Sequence, residues 1–115
     1  MEKFDSEKLE ELLKVNKITF TRENWNTNTV NNLIPYINRY FKNKNKTISK
    51  RYSSTKLKSI FIKLTDSRYL TLEDFIVAML AAGFNCKNIK FTYYFNVAEK
   101  DIKAIDKIIN PEFYV

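Results

Sequence analysis

The sequence has no histidine, a single glycine, a single cysteine and two prolines in 115 residues. Without histidine there is no partner for a Cys/His zinc site, no Cys–His nucleophile pair and no ordinary general base near neutral pH. One glycine cannot build a phosphate loop of the G-x-x-x-x-G-K-[ST] or G-x-G-x-x-G kind. The lone Cys86 rules out an internal disulfide and suits a reducing compartment, and nothing around it marks an activated thiol. No apolar run approaches the roughly 20 residues that cross a bilayer. The amino-terminal MEKFDSEKLEELLK is an acidic-basic amphipathic pattern without the apolar core of a secretory signal. The expectation from these absences is a soluble cytoplasmic protein that is not an enzyme, holds no cofactor or metal and has no membrane partner.

Acidic residues are missing from one long stretch. Between Glu23 and Asp66 every charged side chain is positive: Arg39, Lys42, Lys44, Lys46, Lys50, Arg51, Lys56, Lys58 and Lys63. The rest of the chain carries eleven basic and thirteen acidic residues, so the whole excess of +7 resides in these nine. A field of that sign favours polyanions: nucleic acid, acidic protein faces or anionic lipid. Tyr36, Tyr40, Tyr52 and Trp25 are interleaved with the charges, and rings beside cations are what single strands stack on. The nine cations and Tyr52 are therefore the candidate nucleic-acid-binding residues. The competing reading is a solvated surface, rich in lysine and asparagine because the source genome is rich in A and T, with its aromatics in the core.

What is present in quantity builds a core: 44% of residues are apolar and 15% aromatic, enough for one domain over residues 1–115. Residues 4–15 predict a helix capped by Asp5 with a Phe4/Leu9 staple. KITFT (17–21) alternates like a short strand. Val30, Ile34, Ile37 and Phe41 predict a helix capped by Thr27, Asn28 or Thr29, with Pro35 either forcing a start near Asn31 or Asn32 or kinking the helix where the carbonyl four residues back loses its partner. FKNKNKT reads as a solvated loop. A helix from Ser53 or Ser54, with Leu57, Ile60, Phe61 and Leu64 on one face, ends at Asp66–Ser67. Thr71 and Asp74 match a capping box for a helix closed by Gly83. Ile89–Val97 alternates as a strand, expected to pair with Tyr69–Leu70 or with 17–21. A last helix runs from Glu99 to Ile109 and stops before Asn110–Pro111. The fold class is α+β, mostly helical, with a winged-helix-like core over residues 48–98 and extra helices at both ends.

The series Arg51-Tyr52-Ser53-Ser54, Leu57-Lys58, Tyr69, Phe75, Ala78-Met79, Gly83-Phe84 and Phe95-Asn96-Val97 resembles a family of small phage and mobile-element proteins. Their pattern is close to R-x-S-S-Y-x-L-K-H, Y-V-S-N-G-x-F, A-M or A-A, G-Y or G-F, and F-N-V or F-N-I. The chain departs from it at Thr55, Ser59 and Leu72-Glu73. The resemblance implies an accessory protein of a phage, plasmid or cassette in a low-GC bacterium, of a kind that handles DNA or disables a host defence complex. The leading expectation is a nucleic-acid-binding module, single-stranded DNA slightly favoured. A duplex reader would carry base-reading polar groups at the start of its second helix, where this chain has Leu72, Glu73 and Asp74. The alternative is a protein-protein inhibitor of the anti-CRISPR type that engages a host nucleoprotein complex. An assembly subunit, with a homodimer left open, is the third.

Overall fold

A computed structural model describes residues 3–114. Met1 and Glu2, the start of the amphipathic amino-terminal pattern, and Val115 lie outside the described residues. Over the described residues the fold is α+β and mostly helical, with five α-helices and one antiparallel hairpin: α1 (Ser6–Val15), α2 (Thr27–Tyr40), α3 (Ser54–Thr65), α4 (Leu72–Ala81), β1 (Cys86–Ile89), β2 (Thr92–Phe95) and α5 (Glu99–Ile109), followed by a 3-10 turn over Pro111–Tyr114.

Helix α4 is the centre. Seven consecutive residues from Asp74 to Leu80 are buried, so no face of this stretch is left to solvent, and α1, α2 and α3 all pack on it. A helix that is apolar all round belongs inside a bundle. It ends as a Schellman motif: Gly83 takes φ +95°, its N–H donates to the Leu80 carbonyl (2.9 Å), and the Phe84 N–H donates to that of Met79 (3.1 Å). Its start forms only half of the expected capping box. The Thr71 hydroxyl accepts the Asp74 N–H (3.1 Å), but the Asp74 carboxylate turns away and accepts the Asn26 N–H instead (2.7 Å).

That bond explains where α2 begins. With its N–H held by Asp74, Asn26 sits in extended backbone (φ −106°, ψ 116°) and its side chain accepts the Thr29 N–H, making Asn26 the cap ahead of the three expected candidates. Pro35 consequently falls inside the helix on its exposed side, where the missing N–H costs a hydrogen bond that the buried Val30, Leu33, Ile34 and Ile37 stripe offsets. Asp5 caps α1 and Ser53 caps α3 as the sequence predicts. Residues 17–21 form no strand; Ile18 is buried and Phe20 half-buried as plain core filling.

The alternating run from Ile89 is also not one strand. It folds back on itself: β1 pairs with β2 in the register Cys86↔Phe95 to Ile89↔Thr92, leaving Lys90 and Phe91 as a two-residue turn. Neither Tyr69–Leu70 nor 17–21 is the partner. Both turn residues have positive φ (49° and 67°), the demand of a type I′ turn that Asn-Gly meets without strain. Phe91 is 95% exposed and contributes nothing to the core in return. Lys90→Asn with Phe91→Gly is therefore expected to raise stability by about 1 kcal/mol, seen as a higher urea midpoint at unchanged slope.

The loop 42–51 is nailed down. Its asparagines point inward and its lysines outward: the Asn43 N–H and amide donate to the Asp101 carboxylate (2.8 and 3.0 Å), and Asn45 bonds the Asn96 and Val97 carbonyls (2.8 and 3.1 Å). Lys42, Lys44 and Lys46 are all exposed. The alternation in FKNKNKT, expected to be a solvated loop, is that of an edge segment beside the end of β2.

Candidate functional site

The nine cations of the acid-free stretch do not share one surface. Lys58 lies about 200° round α3 from Lys56 and is half-buried. Arg51 is paired with Glu99 (2.6 Å). The Lys44 ammonium lies 4.6 Å from the centre of the Phe84 ring, and its side chain passes 3.3 Å from where a Gly83 side chain would begin. Helix α4 has no basic residue in its last turn, and Lys44 supplies that positive charge from the loop. Lys46 and Lys50 are exposed on the same loop. Of the interleaved aromatics, Trp25 and Tyr52 are buried, Tyr40 is half-buried under Arg39, and only Tyr36 offers half its surface. Tyr52, with the Arg51 and Lys56 cations 5.9 and 5.4 Å from its ring centre, is a core ring and presents no open face for stacking.

What the fold does gather is centred on α5. Lys56, Ile60 and Lys63 form one stripe of α3, and they face Ile102, Lys103 and Ile109 of α5 across a cleft of about 290 Å³ with Tyr52 at its edge. On the other side of α5, Arg39, Tyr40 and Lys42 wall a smaller groove of about 170 Å³ with Asp101, Ala104 and Ile108. Between the two, α5 itself exposes Lys100, Lys103 and Lys107 at a spacing of three and four residues.

Three of these cations were not among the candidate residues. Residues 99–109 hold three acids and three lysines, so the segment is neutral as text. In the helix the two signs separate only in part, since Asp106 stays on the same cleft as Lys103. Asp101 is buried and accepts three hydrogen bonds from Asn43, Asp106 is half-buried and accepts from the Asn110 amide (2.8 Å), and Glu99 is taken by Arg51. Lys100, Lys103 and Lys107 are exposed. Their spacing was the available signal. The resulting face draws on α2 and the loop after it, α3 and α5: Arg39, Lys42, Lys56, Lys63, Lys100, Lys103 and Lys107.

No protein-family model, curated protein or solved structure matches this chain. The site must therefore be read from its own chemistry. Among the described residues no group of three or more Asp, Glu, Cys or His side chains comes together, and no helix is long and apolar enough to cross a membrane. Burial pushes the Cys86 thiol up to about 11, a bond from the Tyr94 backbone opposing only part of the rise, so the sulfur stays protonated at neutral pH. A protonated, half-buried thiol is a poor nucleophile.

Proposed function

We propose that the protein is a non-enzymatic nucleic-acid-binding module encoded by a phage or mobile element, and that it grips phosphate through the α5-centred face. The observation that carries this is the charge on α5: Asp101 is buried and Glu99 is paired with Arg51, while Lys100, Lys103 and Lys107 are exposed on one side of the helix, flanked by Lys56 and Lys63 on one hand and Arg39 and Lys42 on the other. Such a face draws affinity from counterion release and needs no base sequence. The order α3, turn, α4, hairpin is that of a helix-turn-helix with a wing, and we describe residues 48–98 as a winged-helix-like core. In this core α4 is buried, so it is not available to read a major groove, which favours single-stranded DNA over duplex.

Binding of a labelled single strand at a series of salt concentrations tests this. The triple variant K56A/K63A/K103A is expected to flatten the log-log salt slope by about 2, at roughly 0.7 per lost phosphate contact. Lys58→Ala, on the opposite side of α3, is expected to leave the slope where it was. A loss of about 0.7 from Lys58→Ala, the same per lysine as in the triple variant, would mean that only overall charge matters and would remove the α5 face as the site.

One observation favours the second reading, a protein-protein inhibitor. Phe91 stands almost fully in solvent on a hairpin tip with exposed Lys87 and Lys90 beside it, at a backbone position costly for any residue but glycine or asparagine. Failure to bind any strand at about 50 mM salt, where phosphate contacts are strongest, would favour that reading.

A further inference from the structure

The cleft between α3 and α5 is more than part of a charged face. Its floor is apolar, from Ile60 and Ile109, while its rim carries the exposed ammonium groups of Lys56, Lys63 and Lys103. A half-buried carboxylate, Asp106, lies on its wall one turn of α5 from Lys103, hydrogen-bonded to the amide of Asn110. A bare phosphate suits the rim and is repelled by Asp106; a wholly apolar ligand leaves the three cations without use. An occupant that matches every wall has an anionic end, a flat apolar body and N–H donors at its far edge. At about 290 Å³ the space is at the small end of ligand sites, room for one planar group.

We propose that this cleft takes a single unpaired nucleobase, its phosphates held by Lys56, Lys63 and Lys103, its face on Ile60 and Ile109, and an exocyclic amino group donating to the Asp106–Asn110 pair. The proposal rests on the nucleic-acid reading and adds to it a reason for single-strand preference: a paired base has its amino group engaged and its faces stacked, and cannot enter. Contact with unpaired bases, rather than charge alone, then separates single strand from duplex.

The test compares a short oligodeoxycytidine strand with a strand of equal length made of abasic sugars, which keeps every phosphate and removes every base. The wild-type protein is expected to bind the base-bearing strand about tenfold more tightly, the scale of covering one base face with the two isoleucines. Ile60→Gln, which makes the floor polar and leaves the three lysines in place, is expected to bring that ratio to about one. Equal binding of the two strands by the wild-type protein overturns the base pocket and leaves the phosphate-binding reading standing; no binding of either strand overturns both. Should Ile60→Gln fail to fold, titration of the wild-type protein with deoxycytidine monophosphate decides. Amide shifts at Ile60, Ile109 and Asn110 support the pocket. Shifts confined to Lys100 and Lys107 refute it.

Discussion

Phe61→Ala is expected to be the most damaging single core substitution, costing about 3–5 kcal/mol. The ring is fully buried and joins three elements. It stacks on Phe41 at the end of α2 (6.4 Å between centres, 22° between planes) and tilts against Phe75 of α4 (5.6 Å, 51°), while Phe41 meets Phe84 edge-on (6.4 Å, 83°). Removing it deletes the transfer energy of a phenylalanine, two aromatic contacts worth roughly 0.5–1.5 kcal/mol each, and leaves a cavity the three surrounding helices cannot close. Domains of this size are stable by only about 5–15 kcal/mol, so the variant should lie near the unfolding threshold at 37 °C. Phe61→Leu keeps most of the volume and is expected to retain the larger part of that stability. Urea denaturation followed by circular dichroism ranks the two, and a loss under about 1 kcal/mol for the alanine variant would show that the ring chain does not hold the helices together.

The same helix links scaffold and site. Phe61 and Leu57 face α4, while Lys56, Ile60 and Lys63 face α5, so α3 is anchored on one side by the ring chain and presents the cleft on the other. Its position relative to α5 is therefore set by core packing, which fixes the gap between Lys56 and Lys103 without any bond between them.

Local signals were readable from the text wherever one short segment decides the structure. Asp5, Ser53 and Thr71 cap their helices through their own side chains, Gly83 closes α4, and the bounds of α5 agree to the residue. The signals that misled depend on partners far along the chain. Asn26 outranks Thr27, Asn28 and Thr29 as a cap because Asp74, 48 residues away, holds its N–H. Ile89–Val97 has the period of one strand, and nothing in the residues Lys90-Phe91 announces a turn that usually asks for Asn-Gly. The site was legible to the same degree. Sign and location of the charge excess were plain, but summing charge along the chain gave α5 no weight, and only the helical spacing of Lys100, Lys103 and Lys107 reveals that they share one side of it. The residues that carry the resemblance to phage proteins are largely scaffold: Ser53 caps, Gly83 turns, and Ser54 and Asn96 are buried.

Asn96→Ala is expected to cost about 2–4 kcal/mol, far more than loss of one polar side chain at the surface. Asn96 is 3% exposed and ties three segments: its carbonyl oxygen accepts the Asn85 N–H (2.7 Å) and its amide donates to the Asn45 carbonyl (2.9 Å). Alanine takes the side-chain partner from both backbone groups, the Asn85 N–H and the Asn45 carbonyl, and leaves a gap at a buried position. The Asn45 N–H keeps its bond to the Asn96 backbone carbonyl, so the basic loop should loosen rather than detach, with faster hydrogen exchange at amides 43–49 as its mark. Asn96→Asp separates geometry from chemistry. It keeps the acceptor for Asn85 but sets a carboxylate oxygen against the Asn45 carbonyl, so the ionised form is penalised and the carboxyl of that variant should titrate above the usual range near 4. A raised value in the folded state means stability is retained at low pH, where a protonated carboxyl can donate to Asn45, and lost as pH rises through it. Asn96→Asp should therefore approach the wild-type protein at acidic pH and fall to or below Asn96→Ala at neutral pH, whereas a pH-independent deficit would show that the amide's donor role is not what holds the loop to the hairpin.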